Sequence, residues 1–266
     1  MRKFWAYYVT HLIDALLYRA EIFVWVLTDI GPALVALVFW LAAFQARPNI
    51  AGYSLPQMVL YYFGVMLVKN LIGIQPQYHL AEEIRDGTFS KYLLKPLNFL
   101  IYRLGGIFAW RTVRLIFFLP FLLILLYFFI HQVNIFRLSW LNFIAFLVSL
   151  ALAFFLQFLL KIILGLAAIW FTEVGWLFFG FAVVSSFLSG ELIPLDLFPQ
   201  GLIVINNWLP FKYMLYSPLS LGLNRVNGLQ AISSGLLIQF FWCLLVYWLY
   251  RRVFKAGTKT YSAYGG

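Results

Sequence analysis

Tyr78–Asn98 reads YHLAEEIRDGTFSKYLLKPLN and lies between two apolar runs, Pro56–Gln75 and Gly106–Ile130. Each run reaches the roughly 20 residues that a helix needs to cross the hydrocarbon of a bilayer. The stretch between them is polar and short. Gln77–Ile84 has the composition of a short helix, Gly87 interrupts it, Ser90–Lys95 supplies another turn or two, and Pro96 stops it. The product is a compact elbow outside the membrane. Glu82, Glu83 and Asp86 beside Arg85 and Lys91 give it a mixed-charge face that suits a polar groove on a partner. Ile84, Phe89 and Leu93 offer an apolar side for the bundle or for that partner. A solvated connector is the plainer reading of the same charges.

Composition places the rest of the chain in lipid. The 266 residues are 64% hydrophobic, 21% aromatic and 11% charged, with a mean hydropathy of +0.90. Soluble domains carry about a quarter charged residues. The net charge of +10 does not point to nucleic acid, because the basic residues stand at the ends of apolar runs, where membrane topology puts them. Cys243 is the only cysteine and sits inside the last apolar run. No disulfide framework or metal-ligand spacing follows from it.

Six spans are expected, at Ile22–Phe44, Pro56–Gln75, Gly106–Ile130, Asn142–Leu164, Leu166–Ser189 and Leu229–Phe254. The fourth and fifth nearly abut around Lys161–Leu166, which predicts a tight hairpin there. Ahead of them, Trp5, Tyr8, Val9, Leu12, Ile13, Leu16 and Leu17 recur at helical spacing, opposite Lys3, Thr10, Asp14 and Tyr18. That pattern predicts an amphipathic helix in the interface, or one packed on neighbouring spans, and not a cleaved signal. Basic residues favour the side that carries the elbow: Arg2, Lys3, Arg19, Arg85, Lys91, Lys95, Arg103, Arg111, Arg114, Lys161, Arg251, Arg252, Lys255 and Lys259, against Arg47, Arg137, Lys212 and Arg225. Both termini and the elbow are therefore expected in the cytoplasm.

The external side carries Ser185–Leu223, apolar yet broken by Gly190, Pro194, Pro199, Pro210 and Pro218. One straight helix is impossible there. Short helices that dip into the outer leaflet and hide their broken backbone against protein satisfy both features.

These parts in this order resemble the permease subunits of type-2 ABC exporters, the ABC-2 membrane family, over essentially the whole chain. The phrases that carry the resemblance are Glu82–Leu97 in the elbow, and Ser189–Leu195 with Phe198-Pro199 and Leu209-Pro210-Phe211 outside. Tyr261–Gly266 also looks like the ending of short bacterial members without large external domains. The resemblance implies an all-α, polytopic bundle forming one domain over 1–266: an N-terminal interfacial helix, six spans, a cytoplasmic coupling helix and an external re-entrant hairpin before span six. It implies a bacterial plasma membrane location, and ATPase contact through Glu82, Glu83, Arg85, Asp86, Gly87 and Lys91. Gly190, Glu191, Pro194 and Pro199 mark the re-entrant region. The chain has no G-x-x-x-x-G-K-[ST] sequence, so ATP and Mg are expected on separate ABC ATPase subunits. Two permease chains, identical or paralogous, complete the expected assembly, with no cofactor in this chain and no nucleic acid among the partners.

Ionisable residues inside a membrane are functional candidates by default. Asp29, Lys69 and Glu173 fall within the expected spans. Lys69 is expected to pair with Asp29 or Glu173, or else to meet substrate; Glu191 and Asp196 read as helix caps near the outer surface. Trp25, Trp40, Trp110, Trp140, Trp208 and Trp248 fall toward span ends, where indoles prefer the headgroups. Trp170, Trp176, Phe171, Phe178, Phe179 and Phe181 could wall a pathway on span five or simply pack. An enzyme is disfavoured, because His11, His79 and His131 lie in three separate segments and no catalytic motif occurs. An ion-coupled secondary transporter would show paired broken spans, and only one broken region is present. A small hydrophobic or cationic passenger is the first expectation, and a lipid or lipid-linked saccharide the second. A reporter fused after Gly266 should read cytoplasmic; an external signal would mean that a span has been miscounted.

Overall fold

The computed structural model describes residues 2–50, 52–94, 98–129 and 139–261. Within them the helices are α1 (Arg2–Leu17), α2 (Arg19–Ala46), α3 (Leu55–Ile72), α4 (Pro76–Arg85), α5 (Ser90–Leu94), α6 (Phe99–Phe129), α7 (Trp140–Leu166), α8 (Gly175–Leu188), α9 (Gln200–Asn207), α10 (Tyr216–Gly222) and α11 (Leu229–Thr260). The only extended pairing among the described residues is the bridge between Ile50 and Tyr53. Pro96, His131, Arg137 and the ending Ser262–Gly266 lie outside the described residues, as does the side chain of Asp29.

Helix α3 is the pillar. It opens on a capping box in which Ser54 and Gln57 exchange bonds, with Ser54 N–H donating to Gln57 Oε1 at 2.9 Å, a device that satisfies two free amides at once. Met58, Val59, Tyr61, Tyr62, Phe63, Val65, Met66, Val68 and Ile72 are all buried, so apolar contact covers every side of it. A helix hydrophobic all round belongs in the middle. Helices α2, α6, α7 and α10 pack around it. At Gly64 an added Cβ would lie 2.3 Å from Leu219 Cδ1, so glycine lets α10 approach the pillar.

Five helical stretches are long and apolar enough to cross a membrane: Ala20–Ala46, Leu55–Arg85, Phe99–Ile124, Trp140–Ile169 and Leu229–Thr260. The expected fifth span is different. A short 3-10 helix, Ala167–Ile169, follows α7, the chain leaves helical form at Trp170–Val174, and α8 begins only at Gly175. Its 14 residues rise about 21 Å, short of the hydrocarbon thickness of about 30 Å. The turn expected at Lys161–Leu166 thus falls several residues later. Lys161 is inside α7, donating through Nζ to the Ile74 carbonyl at 2.6 Å.

Helices α7 and α11 run in the same direction. Asn142 meets the Val226 carbonyl, Ser149 bonds Gln239 at 2.8 Å, Cys243 Sγ donates to the Leu152 carbonyl, and Gly257 touches Ile169 and Trp170. The chain must therefore return between them, by α8 and the broken stretch after it. That stretch runs deep. Gln157, seventeen residues into α7 and so about 25 Å from its start, donates to the Met214 carbonyl at 3.2 Å. Gln239 Nε2 donates to the carbonyls of Tyr213 and Ser149, each at 2.9 Å. The short 3-10 helix Phe211–Met214 leaves carbonyls at such depth that need partners from protein, and the two glutamines supply them.

Helix α1 lies lengthwise on the first half of α6: Tyr7 against Tyr102, His11 against Gly106, Tyr18 against Trp110. Tyr8 bonds Thr112 at 2.9 Å. The expected apolar face divides accordingly. Trp5, Val9, Ile13, Leu16 and Leu17 stay exposed while Leu12 and Ala15 pack inward. Trp40 also departs from its expected interfacial place, being buried and donating to Tyr62 Oη at 2.9 Å.

The elbow sits close on α7. A Cβ at Gly165 would stand 3.0 Å from Leu80 Cβ and 3.1 Å from Gln77 Cα. Gly165→Ala should lower stability by about 1–3 kcal/mol through this overpacking and expose the Arg85 bond to trypsin. Gly180→Ala, where nothing lies within 4 Å, should be neutral or slightly stabilising in the same melting and proteolysis assays.

Candidate functional site

Two clusters sit along α3, one at its C-terminal end and one that runs from Tyr53 to Lys69. The first begins where the pillar ends: Gly73 leaves helical geometry at φ −64°, ψ 125°, and Pro76 starts α4 at a position where a missing N–H costs nothing. Helix C-termini carry free carbonyls and partial negative charge, which cations stabilise. Here they come from neighbouring helices. Arg111 of α6 donates to the Gly73 carbonyl, Lys161 of α7 to that of Ile74, and Arg114 Nε to Asn70 Oδ1 at 3.1 Å. Arg111 also lies over the Phe154 ring at 5.3 Å. Arg111 and Arg114 lie inside the span expected at Gly106–Ile130, yet sequence reasoning counted them only toward topology. Their spacing of three on one face of α6 was the available signal.

The elbow divides the expected contact residues into two groups. Glu83 turns inward: its carboxylate accepts from Lys91 Nζ at 3.0 Å, from Tyr92 Oη at 3.1 Å and from Arg103. Leu80, Ala81, Ile84, Phe89 and Tyr92 are buried beneath it. Gly87, at φ +74°, makes the left-handed turn that a side chain resists, so α5 folds back and Lys91 reaches Glu83. Glu83 and Lys91 are thereby spent inside the elbow. Glu82, Arg85, Asp86 and Thr88 face outward, with Leu93 at 41% and Leu94 at 84% exposure. Burial draws the His11 imidazole below its ordinary range, against the opposing pull of Asp14 nearby.

The second cluster joins the broken segment to the pillar. Lys69 Nζ and Glu191 Oε1 are 2.5 Å apart. Of the two expected partners, Glu173 lies exposed in the break before α8, outside any helix, and the Asp29 side chain lies outside the described residues. Glu191 serves an ion pair where a helix cap was expected. Gly190, at φ +83°, accepts from Tyr61 Oη at 2.5 Å, and the Leu192 carbonyl accepts from Tyr62 Oη at 2.7 Å. An added Cβ at Gly190 would lie 2.8 Å from Tyr61 Oη. Asp196 is likewise a hub instead of a cap, accepting from Tyr53 Oη at 2.6 Å, Tyr216 Oη at 2.5 Å and Arg225 Nη1 at 2.9 Å. Arg225 also lies 3.7 Å over the Tyr53 ring. Burial, then the Asp196 bond, holds the Tyr53 phenol well above its ordinary range, so it remains the donor. Pro194 precedes the 3-10 turn that carries Asp196, and Pro199 stands at the N-terminal boundary of α9.

The aromatic residues of span five do not form one wall. Phe178 packs on Tyr78 and Phe181 on Phe211, while Trp176 and Phe179 face outward. Among the described residues no group of three or more His, Cys, Asp and Glu side chains is placed to hold a metal.

Removing one member of a partly buried ion pair strands the other. Lys69→Met and Glu191→Met should each cost about 1–3 kcal/mol, and the double variant should recover most of that loss. A double variant that melts no higher than the weaker single one would rule out a direct pair.

A family model described as ABC-2 family transporter protein matches residues 30–265. No curated protein and no solved structure matches the chain. The match takes in the pillar, the elbow, the broken segment and all the crossing helices after the first third of α2. With most of its length so matched and five helices able to cross a membrane, the chain belongs to the ABC-2 family of transporters, as a permease subunit.

Proposed function

We propose that the chain is one of two permease subunits of an ATP-driven exporter in a bacterial plasma membrane, with both termini and the elbow in the cytoplasm. The ATP and Mg are held by separate ABC ATPase subunits, whose closure pushes on the elbow. The observation that carries this reading is the division of the elbow's charges. Glu83, Lys91 and Arg103 lock it to α6, while Glu82, Arg85, Asp86 and Leu94 are left for a partner. A rigid handle with a free polar face can transmit force.

The passenger is a small hydrophobic compound leaving the cytoplasm. A cationic one is less well served, because Lys69, Arg111, Arg114 and Lys161 converge near the end of α3 against Glu191, and like charge repels. The same excess of positive charge favours, as a second reading, an anionic lipid or lipid-linked saccharide.

The paired reversal Glu82→Lys with Arg85→Glu keeps net charge and touches only the outward face. It should leave melting unchanged and lower ATPase capture about tenfold or more. Glu83→Lys should instead lower the melting temperature itself. Full stimulation of the ATPase by the paired reversal would place the docking face elsewhere.

A further inference from the structure

At the elbow end of the bundle a cavity of about 590 Å³ lies between α1, the start of α2, the α3–α4 joint and α6. Its basic wall is one stripe of α6, Arg103, Arg111 and Arg114, with Ile107 between them. Asp14 and Glu83 also line it, as do His11 and His79. Glu83 is already engaged by Lys91, Tyr92 and Arg103, and Asp14 stands 3.8 Å from His11.

Two of these guanidinium groups, Arg111 and Arg103, are only partly satisfied by protein. Arg111 is 8% exposed, and its Nε and Nη1 are buried without a hydrogen-bond partner, as is Nε of Arg103. A buried cation donor left unpaired is costly, and oxygen acceptors of an anion are what guanidinium forks match best. The remainder of the wall is apolar and aromatic, and it opens past Tyr18 and Trp25, 57% and 50% exposed. Beside that mouth, Leu17, Phe23 and Val24 present an uncovered apolar flank. A ligand fitting both parts has a phosphate head and a hydrocarbon tail.

We propose that this cavity binds the phosphate of an anionic amphiphile, the headgroup entering between α1 and α6 and the acyl chains lying along α2. The bound headgroup ties α1 to the α3–α4 joint, so occupancy stiffens the elbow. The proposal is one of binding alone and stands or falls independently of ATP coupling and of the passenger.

The test is native mass spectrometry of the full chain, delipidated in detergent and titrated with phosphatidylglycerol or phosphatidylcholine. Inorganic phosphate and glycerol phosphate are followed separately by thermal shift. Wild type should hold phosphatidylglycerol about tenfold more tightly than Arg111→Gln or Arg114→Gln. Arg251→Gln, on the exposed end of α11, should bind like wild type. Ile107→Trp, which fills the cavity without changing charge, should also lose the lipid, and covers the case where an arginine variant fails to fold. Retained phosphatidylglycerol fits a membrane source. Arginine-dependent thermal protection by inorganic or glycerol phosphate, with no retained lipid, supports the same phosphate chemistry from solution. Equal binding by wild type, the folded arginine variants and Ile107→Trp overturns the site, as does an equal loss in Arg251→Gln.

Discussion

The joint between α3 and α4 holds the rest of the structure in place. A helix that stops near the end of a bilayer leaves carbonyls with no internal partner, and such groups are expensive where water is scarce. At Gly73 and Ile74 those carbonyls receive Arg111 from α6 and Lys161 from α7. Three crossing helices are thereby pinned at one point. The elbow grows directly from that point and is pressed onto α7 through the bare backbone at Gly165. It is also clamped to α6 by Arg103 and Glu83. A displacement of the elbow has no slack in which to be lost before it reaches the helices that cross.

The same pillar carries the broken stretch that follows α8. Tyr61 and Tyr62, midway along α3, hold the carbonyls at Gly190 and Leu192, and Lys69 holds Glu191. Tyr53, just before the pillar begins, holds Asp196. These contacts are polar and few, and apolar neighbours surround them. A change at the elbow that tilts α3 changes the geometry of every one of them. This continuity of named bonds is the physical basis for linking the two ends. It gives the elbow and the broken stretch a common element.

Much of the architecture was legible from the chain because its signals are local. Apolar run length located five of the six expected spans, with ends that differ from the helices by up to about ten residues, and the helix expected at Gln77–Ile84 is α4, closed just before Gly87 because glycine acts on its own backbone. Span five was harder. Its apolar run, Leu166–Ser189, is interrupted by Thr172-Glu173 and Gly175, and that short polar mark, which read as an intramembrane charge, is the place where helix gives way. Long-range pairings were the least legible. Lys69 and Glu191 are 122 positions apart, and choosing Glu191 over Glu173 requires knowing how far the broken stretch dips. Glu83 read as one more surface carboxylate, although Lys91 and Arg103 consume it. Arg111 and Arg114 were assigned to topology, where their count fits, and their convergence on the end of α3 followed only from the packing of α6.

The central claim, that the outer face of the elbow is the handle of a separate nucleotide-driven motor, is tested most directly by photocrosslinking in cells. The crosslinker replaces Glu82 or Leu94, with a buried control at Ile84. The account predicts a single protein adduct from the two outward positions, containing a nucleotide-binding ATPase, and none from Ile84. Adducts confined to lipid, or the same ATPase captured equally from Ile84, would contradict it.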